Sequence, residues 1–476
     1  MLDQTVVGTD KAADKEGSRD NQHVSRMRYL AVWRWHFFAG VYVLPFLLVL
    51  SLSGLAMLYG NNVAEWLHSD TLHVPVQSHI SSPLSQMESV EAVYPNAHIL
   101  QFVPGVTASD VNQFFIATAD GQNLSVNINP YTDQVTSAFD MTHTWYGWAN
   151  AIHGTLLIGD MGNHLLEIAA SLGVLLVFSG LYLWWPRDKQ NAKTFVWPFS
   201  NGNGRSVWKN LHASVGFYGF AVLLFFLVSG LSWTNIWGQK LVQAWSSLPA
   251  QMFKQVPLSD ATHASLNIAG QKEVPWGVAL TPMPKSGSKK GDSGITGPVN
   301  LDSVVAYAKQ IGLTHYTLSL PQSQTGVYTL SANTVHGDIA NPENDRTVHI
   351  DQYSGKVLAD IGWGMYGPMA LSMAAGIAFH KGNMGGWNKA FNTVFCLGVI
   401  FMCVSAIVMW WLRRPRSSTR LNPPPVPKNQ KIWWGTIFIF IGFGALFPLG
   451  GFAMIAVVLA DILVLSRIPA LKRWYS

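Results

Sequence analysis

The stretch RWHFFAGVYVLPFLLVLSLSGL, residues 34–55, is apolar over a length that crosses a bilayer, yet it has a histidine, His36, near its start. A transmembrane helix needs about 20 such residues. A second stretch, NLHASVGFYGFAVLLFFLVSGL at residues 210–231, has His212 in the equivalent place and ends in the same Ser-Gly-Leu sequence at the same spacing from the histidine. The two stretches therefore indicate an internal duplication in a membrane protein.

The composition is also that of an integral membrane protein. Of the 476 residues, 49% are hydrophobic and only 12% are charged, and the mean hydropathy is positive. The net charge of +5 does not indicate nucleic-acid binding, because Lys and Arg cluster beside the apolar runs, where they set membrane topology. The two cysteines, Cys396 and Cys403, lie in one apolar run without a CxxC motif, so we expect neither cysteine-based metal sites nor covalently attached haem.

Hydropathy predicts six membrane helices in a multi-pass protein embedded in the lipid bilayer, and the distribution of Lys and Arg predicts that both termini are cytoplasmic. The predicted segments, in chain order, are a cytoplasmic tail (1–33), a first span (34–60), an outer domain (61–163), a second span (164–186), a cytoplasmic loop (187–208), a third span (209–236), a second outer domain (237–386), a fourth span (387–412), a cytoplasmic loop (413–430), a hairpin of two further spans (431–468) and a cytoplasmic tail (469–476).

The two outer segments share one pattern. The first has helical periodicity in LSQMESVEAVYPNA and then strand-like alternation in HILQFV, NQFFIATA and NLSVNINPYTDQVTSA. The second has LDSVVAYAKQIGL followed by HYTLSLP, GVYTLSAN and TVHIDQYSGKVLADIGW. Each pattern predicts one helix and three strands. The predicted fold class is a membrane α-helical bundle of duplicated 2+2 helices plus a C-terminal helical hairpin, with two outer α+β domains.

Four histidines occupy matched places in this duplicated frame. His36 and His212 lie at the cytoplasmic ends of the first and third spans, and His153 and His380 lie near the outer starts of the second and fourth. Quasi-twofold symmetry brings equivalent positions face to face, and two facing neutral imidazoles are what bis-histidine ligation of haem iron requires. We therefore expect two haem b groups, an inner one on His36 and His212 and an outer one on His153 and His380.

Glycines near the histidines support haem ligation, and the alternative is that the histidines have only a structural role. Gly40 and Gly216 follow the inner histidines by one helical turn, which leaves room for a porphyrin ring against the helix. A duplication, however, also copies a histidine that only satisfies a polar position. His164, three residues before Glu167, is a further candidate: it could replace His153 as a ligand or relay a proton, or it could simply be a helix-start residue near Asp160.

The outer segments also contain histidines and aromatic residues that lie outside the four-histidine frame. We interpret five histidines there as surface residues: His143, His263, His315, His336 and His349. Several aromatic residues just before the outer histidines could line a docking site or form an interfacial aromatic belt. They are Trp145, Tyr146, Trp148, Trp363 and Tyr366.

Familiar nucleotide and hydrolase motifs do not occur. The sequence has no P-loop, HExxH or GxSxG motif, and NGNGRS at residues 201–206 has no strand–turn–helix context. The cytoplasmic loops are too short for a flavin or nicotinamide domain. If the protein moves electrons, the donor must be a membrane quinol or a separate cytoplasmic protein.

The combined motifs resemble the PepSY-associated transmembrane family. The resemblance rests on WHFFAG and LHASVG at the span starts, on IHGTLLIGDMG and FHKGNMGGW, and on VHIDQYSGKVLAD in the second outer segment. It covers about residues 30–412. It implies PepSY-like outer domains in the periplasm, a bacterial inner membrane, and b-type haems on His36, His153, His212 and His380. The C-terminal hairpin and His164 lie outside the family pattern.

The resemblance and the histidine frame together lead to a reductase hypothesis. Electrons would cross the membrane through two haems to a periplasmic acceptor, with ferric iron in a siderophore as the expected acceptor. The rival is a PepSY-type binding or regulatory protein that acts on a periplasmic partner or peptidase, with structural histidines; it leaves the four-histidine frame unexplained. A transporter ranks third, because the duplication is parallel and no span is broken at mid-membrane by paired Gly or Pro.

Overall fold

The computed structural model describes most of the chain. The described residues are 6–185, 204–238, 256–268, 281–415, 420–425, 434–460, 463, 467 and 468, with side chains from residue 24 onward. The predicted tail 469–476 and most of the predicted loop 187–208 lie outside them.

Four of the described helices are long and apolar enough to cross a membrane. The helices, in chain order, are α1 Val6–Leu58, α2 Gly60–Leu72, α3 Pro83–Val93, α4 Trp145–Thr155, α5 Asp160–Trp184, α6 Arg205–Leu231, α7 Leu301–Gln310, α8 Pro368–Lys381, α9 Gly386–Arg413, α10 Trp434–Leu446 and α11 Pro448–Ala460. The four long apolar segments are the Val24–Leu58 part of α1 and the whole of α5, α6 and α9. They overlap the spans expected at 34–60, 164–186, 209–236 and 387–412.

The C-terminal hairpin is built on close contact between glycines. α10 and α11 are separated by Phe447, and Pro448 begins α11, where its missing N–H is not needed. A Cβ on Gly451 would lie 2.7 Å from the Cα of Gly444 in the partner helix, and one on Gly450 would lie 2.8 Å from the Cβ of Ser171 in α5. Only glycine permits this approach, so the FPLGGF sequence fixes both the turn and the packing of the hairpin.

The outer segments form strands that belong to one antiparallel sheet. Its strands are β1 His98–Val103, β2 Asn112–Ala117, β3 Asn123–Ile128, β4 Val135–Asp140, β7 Thr317–Ser319, β8 Val327–Ala332, β9 Arg346–Asp351 and β10 Val357–Gly362, and β5 Leu258–Thr262 pairs separately with β6 Pro282–Pro284. The order is β10-β9-β8-β7-β1-β2-β3-β4. Each half therefore contributes four strands to this sheet, where the sequence pattern predicts three, and the predicted helix of each half is α3 or α7.

The two halves are not separate domains, which differs from the expectation. β1 pairs with β7, where Gln101 lies opposite Ser319 and Phe102 opposite Leu318. The helices α3 and α7 share one face of the sheet, and a single buried core contains side chains from both halves. The backbone N–H of Leu84 in α3 also donates to Asp302 in α7, at 2.8 Å. Pairing of two distant edge strands has no local sequence signal, so the periodicity could not reveal it.

By internal contacts the chain forms two compact units. One contains the large sheet with α2, α3, α4, α7 and α8. The other contains α5, α6, α10 and α11. The long helices α1 and α9 contribute residues to both.

Candidate functional site

The imidazole rings of His153 and His380, which the duplicated frame pairs, lie close to each other. Each lies in the last turn of a short helix, α4 and α8 respectively. Their ring centroids are 6.5 Å apart and the ring planes are at 83°. Two imidazoles that bind one iron from opposite sides, with bonds of about 2.0 Å and ring nitrogens about 1.1 Å from the ring centres, have centroids about 6.2 Å apart. The observed spacing therefore fits a metal between the rings and is too long for a direct hydrogen bond.

A serine on α1 orients His153. The hydroxyl of Ser53 and Nδ1 of His153 are 2.9 Å apart. The neighbouring Gly54 also lies beside the ring, where a Cβ would make an ordinary contact with Cε1 of the imidazole at 3.5 Å. The repeated Ser-Gly-Leu sequence was a visible signal in the sequence, but its role as the partner of a histidine on another helix was not.

Local sequence fixes the helix that presents His153. The hydroxyl of Thr144 caps the start of α4 by accepting the N–H of Gly147 at 3.0 Å. The helix ends where Leu156 adopts a left-handed conformation, with φ of 51°. Because His153 lies just before this break, its side chain is held at a helix end.

The other two candidate ligands show one contact that occurs twice. Nδ1 of His36 lies 3.0 Å from the hydroxyl of Ser179 in α5, and Nδ1 of His212 lies 2.8 Å from that of Ser405 in α9. Each serine hydroxyl also bonds a carbonyl oxygen three residues earlier in its own helix. Since a hydroxyl has one hydrogen and the carbonyl can only accept, the serine donates to the carbonyl and accepts from the imidazole.

This arrangement fixes the tautomer of both rings. Nδ1 carries the hydrogen, and Nε2 keeps the lone pair that binds a metal. A hydrogen-bonded second nitrogen is typical of metal-ligating histidines. Both rings are half-buried.

A glycine lies beside the imidazole of His36, and it is not one of the two glycines expected to make room for a porphyrin. A Cβ on Gly180, next to Ser179, would lie 3.2 Å from Cε1 of His36. A Cβ on Gly40 would meet Leu176 at 3.7 Å, and one on Gly216 would meet Met402 at 3.1 Å. The role expected for Gly40 and Gly216 in making room for a porphyrin stays a prediction.

His164 has no hydrogen-bond partner among the described residues, and its neighbours serve a structural purpose. The buried carboxylate of Glu167 accepts the backbone N–H groups of Ile236 and Trp237 at 3.1 and 3.2 Å. Asp160 accepts the side-chain amide of Asn235 at 2.7 Å. These contacts fasten the chain that follows α6, so the acidic groups near His164 are already engaged there.

The surface interpretation is wrong for two of the other histidines. His263 is 3% exposed and His349 is fully buried. Their Nε2 atoms are 3.0 Å apart. Nδ1 of His263 donates to the carbonyl of Thr281 at 2.8 Å, and Nδ1 of His349 bonds the hydroxyl of Thr329 at 2.9 Å. Alternation in TVHIDQ places His349 on the face of β9 opposite the main core. The alternation does not reveal that another segment of the chain covers this face, so it could not predict that His349 is buried.

Burial lowers the pKa of both imidazoles of this pair, and for His349 the charge of His263 lowers it further. With both rings neutral, His349 donates from Nε2 to Nε2 of His263, because Nδ1 of His263 already donates to a carbonyl.

The aromatic residues before the outer histidines divide into exposed and packed. Trp145 and Trp148 are about half exposed, and the indole of Trp145 donates to the carbonyl of Ala56 at 3.0 Å. Tyr146 packs against Gly60. Burial, together with the nearby Asp345, raises the pKa of Tyr366 to about 12. The contacts of Trp145 and Tyr146 and the burial of Tyr366 indicate a structural role for these three residues.

Among the described residues, no group of three or more His, Cys, Asp or Glu side chains forms a metal site. Bis-histidine haem needs only two protein ligands, so the histidine pairs do not depend on such a group.

The sequence matches the family model of the PepSY-associated TM region over residues 33–413. No individual curated protein matches the chain significantly.

Proposed function

The chain belongs to the PepSY-associated transmembrane family, and from that premise we propose that it is a diheme b-type reductase of the bacterial inner membrane. The expected acceptor is ferric iron held by a periplasmic siderophore. The observation that carries the proposal is the 6.5 Å separation of the His153 and His380 rings, which fits one iron between them.

The residues that would hold the two haems are His153 with His380 and His36 with His212. A bound haem supplies one-electron chemistry at a potential that its surroundings tune. The chain holds the ligand nitrogens in place. Ser179 and Ser405 fix the tautomers of their histidines, and Ser53 orients His153. Partial burial of the rings restricts the access of water.

The electron balance requires a donor outside the chain. A membrane quinol that becomes a quinone releases two electrons and two protons, and this reduces two ferric ions to ferrous ions. A cytoplasmic donor protein is the other source consistent with the sequence. Reduction loosens a siderophore, because its hard oxygen donors bind ferric iron more tightly than ferrous iron.

The charge pattern supports an orientation with both termini in the cytoplasm, since Lys and Arg flank the predicted cytoplasmic ends of the spans. In that orientation the residues of the large sheet lie in the periplasm, where a siderophore can reach them.

The first experiment is a visible spectrum of the purified protein, oxidised and then reduced with dithionite, with a pyridine haemochrome count. We expect two b-type haems per chain, and about one in H36A and in H380A. The acceptor is then tested by mixing the reduced protein with a ferric siderophore in a stopped-flow instrument and following the oxidation of the protein. A colourless protein from cells supplied with haem would overturn the proposal and favour a partner-binding role for the outer segments.

A further inference from the structure

His380 lies at a helix end whose carbonyl groups need partners from elsewhere. The last carbonyls of an α-helix have no N–H donor within the helix. α8 ends at Lys381, and Gly382 takes a left-handed conformation with φ of 78°. Its N–H and that of Asn383 return to carbonyls of the last turn. The carbonyl of His380 itself is one of the groups left to other donors.

Two buried asparagines of α9 supply those donors. The side-chain amide of Asn392 donates to the carbonyls of Phe379 at 2.8 Å and of His380 at 3.1 Å. The amide of Asn388, one turn earlier, donates to the carbonyl of Phe379 at 3.0 Å. Asn388 is fully buried and Asn392 is 3% exposed. A direct bond to the main chain of His380 fixes where its Cα lies.

The asparagines are themselves held in one orientation. The amide of Asn388 also donates to the side-chain oxygen of Asn392 at 3.2 Å, and its own side-chain oxygen accepts the N–H of Met384 at 3.1 Å. Neither amide can rotate without breaking two or more bonds. The geometry is therefore a rigid clamp rather than a pair of adaptable polar contacts.

The loop after His380 is fastened from a second direction. The ammonium of Lys381 donates to the carbonyl of Val335. The amide of Asn383 donates to the carbonyls of Thr334 and Val335, at 2.9 and 3.2 Å. Thr334 and Val335 are fully buried beside the sheet. His380 is thus tied to α9 and to the loop that follows β8.

The two asparagines lie in the second repeat. When Ser179 is aligned with Ser405, the positions that match Asn388 and Asn392 are Gly162 and Leu166. In the first repeat His153 is held through its ring, by Ser53. In this alignment the two asparagines therefore have no asparagine counterpart in the first repeat.

We propose that Asn388 and Asn392 are positioning residues for the outer haem: by holding the main chain of His380, they set the direction from which its imidazole meets the iron. This inference rests on the proposed function. The loss of one such residue displaces His380 without removing it. The outer haem should then bind more weakly and its ligand field should change, while the inner haem is unaffected.

The test compares N392L and N388A with T393V. Leucine keeps the branched shape and the number of side-chain heavy atoms of asparagine, although it is bulkier, and removes its donors. Thr393 is on the same helix and bonds Tyr59 and its own helix, not α8, so T393V is the matched control. All three are made in the H36A background, where only the outer haem should remain. The readouts are the low-spin ferric EPR signal and the rate of haem transfer to apomyoglobin.

We expect N392L and N388A to release the outer haem roughly 10- to 100-fold faster than T393V, as is typical when a residue that orients a ligand is lost. Their EPR g-values should shift, and N392Q, which keeps the donor, should recover part of both. If N392L is not recovered folded, N388A decides. An unchanged signal and release rate in the asparagine variants would overturn the inference while the diheme proposal stands, whereas absence of haem from the wild type would end the diheme proposal itself.

Discussion

At the scale of single residues, the serine partners of the inner histidines have the clearest role. In both contacts the hydroxyl donates along its own helix and accepts from Nδ1 of an imidazole on another helix. This leaves Nε2 free to bind a metal. The two contacts involve different helices and different serines, at matched positions of the two repeats. The same geometry is therefore present in both halves of the duplicated frame.

If His36 and His212 hold a haem as proposed, we predict that S179A and S405A each weaken its binding roughly 10- to 100-fold, the usual effect of losing an orienting partner. The control is S214A on α6, because the Ser214 hydroxyl bonds only the carbonyl of Asn210 in its own helix. The measurement is haem content and haem transfer to apomyoglobin in the H380A background. Equal haem retention in S179A, S405A and S214A would contradict the assigned role.

A second prediction at this scale concerns pH. Burial lowers the pKa of His263 and His349 below 6.5, the ordinary value. Below about pH 6.5 the unfolded chain therefore binds more protons than the folded one, and the free energy of unfolding falls as the pH falls, by up to about 1.4 kcal/mol per pH unit for each histidine. Asp345 acts oppositely: burial raises its pKa to about 6 from 3.8, so between these values acid favours the folded state.

The H263Q/H349Q double variant separates the two effects. Denaturation of the outer unit, followed by tryptophan fluorescence between pH 5 and 8, should show a smaller loss of stability on acidification in this variant than in the wild type. H143Q is the control, because His143 is an exposed histidine paired with Asp140. A pH profile identical in the double variant and the wild type would mean that the buried pair does not titrate on unfolding.

The histidines could be predicted from the sequence, but not all of the residues around them could. His36 and His212 were recognisable because they repeat at one spacing. Ser179 and Ser405 also repeat, in FSGLYLWW and VSAIVMWW, but no pattern indicates which histidine a serine faces. Asn388 and Asn392 have no counterpart in the first repeat, so the duplication could not reveal them.

At the scale of the elements, the hairpin of α10 and α11 depends on glycines that leave no space for a side chain. We predict that G451A destabilises the protein by about 1–3 kcal/mol, the usual cost of overpacking, because the added Cβ would lie 2.7 Å from backbone of Gly444. The matched control is G442A on α10, where nothing lies within 4 Å of an added Cβ.

The two variants should differ in sign as well as size. G442A gains the higher helix propensity of alanine, worth up to about 1 kcal/mol, and should be neutral or stabilising. The measurement is the melting temperature of each purified protein in the same detergent. A melting temperature for G451A that equals that of G442A would show that the glycine contact between the helices is not under packing constraint.

Element prediction succeeded where the signal is local. Long apolar runs predicted the helices α5, α6 and α9, and turn residues predicted the hairpin. The α1 helix continues toward the N-terminus beyond its apolar part, from Val6, because the polar residues there are mostly compatible with a helix. The strands β1 and β2 fall within HILQFV and NQFFIATA, where alternation is strong.

At the scale of the whole molecule, the two outer segments depend on each other. The pairing of β1 with β7 makes one sheet from segments more than two hundred residues apart. The buried core on the helical side combines Val90, Phe102 and Phe114 from the first segment with Leu301, Leu318 and Leu330 from the second. The sequence predicted that the segments are alike, but likeness does not say whether two copies stay apart or join. Only the paired edges show this.

The joined sheet predicts that residues 74–140 do not fold as a separate domain. Alone, this fragment would expose the unpaired edge of β1, which is a template for aggregation. It would also expose part of the apolar face that α7 and the second half help to bury. A fusion of 74–140 to 256–366 through a Gly/Ser linker restores the partner strand of β1 and the cover of the apolar face. Far-UV circular dichroism and amide hydrogen exchange on the fusion and on the fragment measure the difference. The fusion should show slowly exchanging amides in β1 and β7, and the fragment should show neither protection nor a cooperative transition. If the fragment were instead a folded monomer with protected β1 amides, then the pairing with β7 would be an association of two self-sufficient domains rather than the completion of one sheet.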